Sequence, residues 1–269
     1  VRPIAQAARR LAVVFLLPVL LVQPGSTALA RGGETDGAGQ DFKPCSRPLS
    51  THPLPSPPLV ALGSQSGLPG YADRLSTTPY GWPRLAHWCV WIEPVLPSAA
   101  SAAAGLEPRQ QRWRQAVESA LQSWRSLVPF TLVADPDAAQ VHLWRRVPPL
   151  GRDGAGRPRA SHGRALLRLA AVERRPGQWR LEPAIEILIG PGQRQEALQA
   201  TALHELGHAF GIWGHSDSPG DAMAAAPGPV PVLVLSDRDR STVRWLYAQP
   251  TTYGGPVLPP PAAGPPAHP

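Results

Sequence analysis

The sequence predicts an α+β domain built on a mixed sheet, and two observations carry that expectation. Apolar periodicity switches between a strand pattern and a helical one, in the order strand, helix, several strands, helix, loop, helix. Hydrophobic residues make up 43% of the 269, enough to bury a core, while the 35 prolines cluster toward the flanks of the patterned region. The expectation is one folded domain spanning 84–249, about 165 residues long.

The elements follow in chain order. Residues 1–30 read as a secretory signal: Arg9 and Arg10 close a positive start, Leu11 to Val22 form a short apolar run, and Ala28-Leu29-Ala30 has the small-x-small form of a cleavage site. Residues 31–83 are rich in Gly, Pro and Ser and show neither strand nor helical period, as a linker, a pro-segment or an extended strap would. Ala86 to Glu93 is an aromatic and β-branched run between prolines, which reads as a strand. Pro108 opens a helix with Trp113, Val117, Ala120, Leu121, Trp124 and Leu127 on one face, and Pro129 stops it. Phe130 to Val133 and Val141 to Arg145 read as strands around the turn Asp135-Pro136-Asp137. Arg164 to Ala171 and Ile185 to Ile189 are further strands, and Gly190-Pro191-Gly192 ends the second. Gln195 to Phe210 is helical. Ser236 and Asp239 supply a capping box for a last helix carrying Val243, Leu246 and Tyr247. Residues 250–269 read as a disordered Pro-rich tail.

Composition excludes several functions. Two cysteines exclude a disulfide-dense scaffold and a four-thiolate zinc finger. The net charge is +7, but residues 1–30 hold three arginines and no acid, and the remainder carries 23 basic against 19 acidic residues. Those basic residues are scattered rather than striped, so no nucleic-acid partner is expected. The N-terminal apolar run is too short for a stable membrane anchor, and Pro18 interrupts it.

The chemistry lies in His204-Glu205-Leu206-Gly207-His208-Ala209-Phe210-Gly211-Ile212-Trp213-Gly214-His215. His204 and His208, four apart on a helix, project from one face, the spacing of two ligands on one zinc. Glu205 can reach a water on that metal and act as general base. Gly211 can end the helix and swing His215 back as a third ligand, leaving one position open as catalytic zinc sites do. No Glu follows Glu205, so the third ligand comes from His215, Asp217 or Asp221, and His215 is nearest and best matched. The bland alternative is an amphipathic helix whose histidines merely pack or face solvent.

This segment resembles the metzincin zinc consensus HExxHxxGxxH, closest to the matrixin-like branch. Met223 stands eight residues past His215, where that family has its Met-turn. Leu235-Ser236 and Leu246-Tyr247 match the ends of the family's final helix. The resemblance covers roughly 84–249. It implies a zincin-like metzincin domain with a twisted mixed five-stranded sheet, three main helices and a Met-turn. It also implies a zinc endopeptidase that holds Zn²⁺ with His204, His208 and His215 and uses Glu205 as general base. The substrate is then a protein or peptide, lying extended beside an edge strand near Ile185 to Ile189.

Three features depart from the family. Three residues rather than two separate Gly211 from His215, so Gly214 reads as an insertion, with Asp217 the substitute ligand if the loop does not absorb it. Ala224 and Ala225 follow the Met-turn where some relatives carry a tyrosine. No second-zinc segment is recognisable in 151–170, where His162 stands alone, and calcium is left open. Cys45 and Cys89 suit one disulfide in an exported protein. Alternatively Cys45 ligates the zinc in a latent form, as a matrixin pro-segment cysteine does. The expected protein is a monomer, secreted to the extracellular space or periplasm. The competing reading is an exported zinc-binding or protein-binding module with degenerate peptidase activity.

Overall fold

The computed structural model describes residues 45–56, 58–63, 65–95, 105–152 and 156–260. The expected signal segment 1–30 and residues 261–269 of the expected tail 250–269 lie outside them. The strands in chain order are β1 (Ser50–Leu54), β2 (Val60–Ala61), β3 (Ser76–Thr77), β4 (Trp88–Ile92), β5 (Phe130–Leu132), β6 (Val141–Trp144), β7 (Gly151–Arg152), β8 (Pro158–Arg159), β9 (Gly163–Arg175) and β10 (Gln178–Ile189). The helices are α1 (Glu107–Trp124), α2 (Gln195–Ala209) and α3 (Asp237–Ala248). Six strands form one sheet in the order β1-β9-β10-β6-β4-β5. β5, β4, β6 and β10 run parallel, whereas β9 is antiparallel to β10 and β1 antiparallel to β9. The mixed α+β class and the three helices agree with the sequence expectation.

The sheet has six strands, not five. The sixth, β1, comes from the stretch 31–83 in which no strand period is visible. Its residues Ser50-Thr51-His52-Pro53-Leu54 are exposed or half-buried, so no core face imposes an alternation on them. Pairing with β9 alone makes the strand. The packed body also exceeds the expected span 84–249. Tyr71, Leu75 and Trp82 are buried on its N-terminal side and Tyr253 on its C-terminal side.

The core lies between the sheet and the helices. Trp88, Val90 and Ile92 of β4, Val141 and Leu143 of β6, and Ile185, Ile187 and Ile189 of β10 belong to one buried cluster with the α1 stripe Trp113, Ala116, Val117, Ala120, Leu121 and Trp124. α1 packs on α2. Trp124 Nε1 donates to Leu203 O at 3.1 Å, and Trp113 Nε1 to Ile189 O at 3.2 Å, so both large rings satisfy their polar atom. The two long strands β9 and β10 form one hairpin around Pro176-Gly177, with Gly177 at φ 74°. Polar residues hid its outer half from a sequence reading. Arg174 and Glu182 pair there at 2.7 Å with side chains 5% and 8% exposed, and Glu182 also accepts from Gln140 Nε2 at 2.8 Å.

Two further expectations change. Ile185–Ile189 is not at the sheet edge: β10 lies between β9 and β6, because the hairpin carries the chain one strand further out. Cys45 is bonded to Cys89, with Cα atoms 5.5 Å apart, so it is not a metal ligand. The bridge ties the start of the described chain to β4. Among the described residues, no helix is long and apolar enough to cross a membrane.

Candidate metal centre

Three histidines converge at the C-terminal end of α2. His204, His208 and His215 offer nitrogen atoms that all lie within 4.8 Å of one another. Helical spacing stacks the first two on one face, with ring centroids 4.8 Å apart. Gly211, at φ 107°, then ends the helix: its N–H reaches His208 O at 3.0 Å and the Ile212 N–H reaches Gly207 O at 2.9 Å. The reversed chain brings the His215 ring to 5.2 Å from His204 and 4.9 Å from His208.

Backbone carbonyls orient two of the rings. His208 Nδ1 lies 2.7 Å from Ile212 O, and His204 Nδ1 lies 2.9 Å from Ala222 O. A proton on each Nδ1 makes these bonds and leaves Nε2 with a free lone pair, the tautomer a metal ligand needs. Trp213 stacks on His208 with centroids 5.5 Å apart. Burial lowers all three histidines, His204 to about 4 and His208 and His215 also below the usual imidazole value. Each ring is therefore neutral at pH 7 without a metal. A donor set of three neutral imidazoles, two of them already oriented, fits a divalent metal ion.

Glu205 follows His204 on α2 and is 8% exposed. It packs on Gly163, where a Cβ would fall 2.6 Å from Glu205 Oε1. Only glycine leaves room there. Burial raises the carboxyl to about 7, against the opposing pull of the Ala165 backbone N–H and of Arg164.

Met223 is fully buried against α2. A Cβ on Gly207 would sit 2.2 Å from Met223 Sδ, so the glycine between His204 and His208 admits the methionine. The Met223 carbonyl accepts the Ser216 N–H at 2.7 Å, which ties the residue after His215 to the turn.

The alternative third ligands are otherwise engaged. Asp217 is exposed and bonds Arg74 and Arg238, each at 2.8 Å; its hydrogen bond with Arg238 holds its carboxyl below the usual value. Asp221 bonds Ser216 and Ser236 and lies 3.0 Å from Arg238. His215, not either aspartate, joins the cluster.

Sequence reasoning missed a buried support for it. Asp239 is fully buried and accepts from the Ala222 N–H at 2.9 Å, the Ser236 N–H at 2.9 Å and Tyr71 Oη at 2.6 Å. Burial and the nearby Asp239 charge push the Tyr71 phenol far above its usual value, so it remains a donor. Ala222 is the residue whose carbonyl orients His204. Asp239 was visible as half of a capping box, but its second role depends on Tyr71, 168 residues away.

Gly214 also has a partner. The Ser76 N–H reaches Trp213 O at 2.7 Å, Leu75 bridges Gly214, and a Cβ on Gly214 would lie 2.3 Å from Arg74 O. The residue that reads as an insertion is where residues 74–76 cross the loop carrying His215.

A separate cavity of about 480 Å³, lined by Arg109, Arg112, Arg145 and Gln193 among others, lies toward the opposite end of α2 and does not touch the histidines. No protein-family model matches the chain, and a search of curated proteins finds no match either.

Proposed function

We propose that the chain is a secreted zinc endopeptidase of the metzincin type, with His204, His208 and His215 as zinc ligands and Glu205 as general base. The observation that carries this reading is a buried carboxylate next in sequence to the first of three neutral, convergent imidazoles. A structural zinc site would close its fourth position with a protein ligand. Here the third histidine is exposed, and a carboxylate that metal holding alone does not require lies next to the first. Met223, buried against the glycine between His204 and His208, supports the metzincin assignment. The Cys45–Cys89 bridge supports an oxidising compartment, consistent with export.

Zinc, when bound, supplies the Lewis acidity that makes a water nucleophilic near neutral pH and polarises a peptide carbonyl. Glu205 takes the proton from that water. Its carboxyl, near 7 without the metal, is matched to accepting a proton and then releasing it to the leaving amine nitrogen. Ala165 and Gly163 fix the carboxylate against the end of β9, so the base cannot swing away from the reacting atoms. The extended peptide pairs with the sheet edge. β9, rather than Ile185–Ile189, offers that edge, because β1 leaves Gly163–Arg168 uncovered.

The test combines metal content and turnover. The purified chain is expected to carry close to one zinc and to cut a protein digest at defined bonds. Glu205→Gln should keep the zinc and lose cleavage by about 10²–10⁴-fold. His215→Ala should lose most of the metal. Undiminished cleavage by Glu205→Gln would overturn the mechanism, and absence of zinc after folding with metal would overturn the assignment.

A further inference from the structure

We infer that β1 limits how much of a peptide the site engages ahead of the bond it cuts, so that about four residues on that side are held and further ones are not. The inference rests on the peptidase reading above and names the substrate form that reading requires.

β9 is paired along its whole inner edge to β10, from Gly163 to Arg175. On the outer edge β1 covers only Leu169 to Glu173, with Leu54 opposite Leu169. Burial follows the cover: residues 169–172 are buried, residues 164–167 are half-buried and Arg168 is exposed. The Ser56 hydroxyl reaches past the end of β1 and donates to Leu167 O at 3.2 Å. Glu205 marks the other end of the open stretch, through its contacts with Gly163 and Ala165. Between the reacting centre and the last β1 pair lie Ala165 to Arg168, where the Leu167 carbonyl already accepts from Ser56.

Direction follows from the existing ladder. β1 runs antiparallel to β9 and points its C-terminal end at the open stretch. A peptide that continues the same ladder runs in the direction of β1, its N-terminal end against Leu54–Ser56 and its scissile bond at Glu205. Strands pair residue for residue, so a longer peptide must leave the sheet at Arg168, where the next positions are already taken. It gains no further main-chain bonds from β9. Pairing stops at Leu54, and Pro55 and Ser56 follow it outside the ladder. The same segment thus closes one part of the edge and spares the other.

The experiment uses the zinc-loaded full chain and a peptide it cuts in a protein digest, resynthesised with two, four, six and eight residues ahead of the scissile bond. Raising that length from two to four should increase kcat/KM by about tenfold, the size expected for added main-chain pairing. From four to eight it should stay within twofold. In Ser56→Gly, which frees Leu167 O but leaves β1 paired with Leu169 to Glu173, the plateau should stay at four. A wild-type rate that climbs more than threefold between four and eight residues would overturn the role of β1 while leaving the peptidase reading intact. A chain with one bound zinc that cuts no peptide would overturn the peptidase reading, and this inference with it.

Discussion

The histidine helix α2 and the segment Gly70–Thr78 hold the same loop by opposite means. α2 acts through side chains. A helical period sets His204 and His208 one turn apart, and a glycine ends the turn so that His215 can return. The segment 70–78 acts mostly through its backbone. Arg74 O, Leu75 and the Ser76 N–H meet Trp213 and Gly214, while the side chains of Tyr71, Leu75 and Thr78 are buried, Tyr71 against Asp239. One grip is written as a motif of twelve residues. The other leaves almost no trace in side-chain identity, because any residue carries a carbonyl and nearly any an N–H. Ligand identity and ligand placement are therefore separate problems in this protein.

The strongest way to break the comparison is Gly214→Ala. The added Cβ would meet Arg74 O at 2.3 Å, so either the loop or the segment must move. Metal affinity, measured by chelator competition, should fall about 10–100-fold, as it does when groups that orient ligands are lost. The helix should remain intact by circular dichroism. Unchanged affinity would mean that α2 alone places His215.

A second difference is sensitivity to pH, which resides in α2. In the metal-free chain, burial raises Glu205 to about 7 and lowers His204 to about 4. A raised carboxyl contributes stability below its ordinary value that is lost as pH rises through about 7. Lowered histidines contribute stability present above their ordinary value that is lost as pH falls toward about 4. Glu205→Gln removes the first effect only. Denaturant titrations of the metal-free proteins should show the variant gaining on the wild type from pH 4 to pH 8, by on the order of 2 kcal/mol. A gap that shrinks with rising pH would contradict the sign. Arg74→Ala, on the other segment, should leave that pH profile unchanged.

The smallest effect on the metal is expected from Cys45→Ser with Cys89→Ser. The bridge lies at the start of the described chain, beside β4 rather than beside the loop. Its loss should cost about 2–4 kcal/mol of unfolding free energy. Zinc affinity should stay within twofold. A larger loss of metal would mean that the whole span 45–78 acts as one support.

Much of the fold was legible because its signals are local. The α1 stripe, the β4 run Trp88-Cys89-Val90-Trp91-Ile92 and the Ser236–Asp239 capping box each announce themselves within a few residues. The outer half of the β9–β10 hairpin was not, since Arg174 and Glu182 are buried as a pair and read as surface residues when taken singly. Nor was β1, whose exposed residues carry no alternation. At the site, His204, Glu205, His208 and His215 stand out by type and spacing, and Met223 as the lone methionine. Tyr71, Asp239, Gly163 and Gly214 do not, because their importance lies in what approaches them.

By itself the sequence determined the α+β class, the helix that carries two histidines, the carboxylate next to them and the candidates for a third ligand. The tertiary structure decided which candidate joins the cluster, which strand lies at the sheet edge, and that residues 45–83 include an edge strand and a brace for the His215 loop. The reason is distance along the chain. Side-chain periodicity acts over one or two turns, whereas Ser50 pairs with Glu173 and Tyr71 bonds Asp239, contacts fixed only when separate elements pack against a common core.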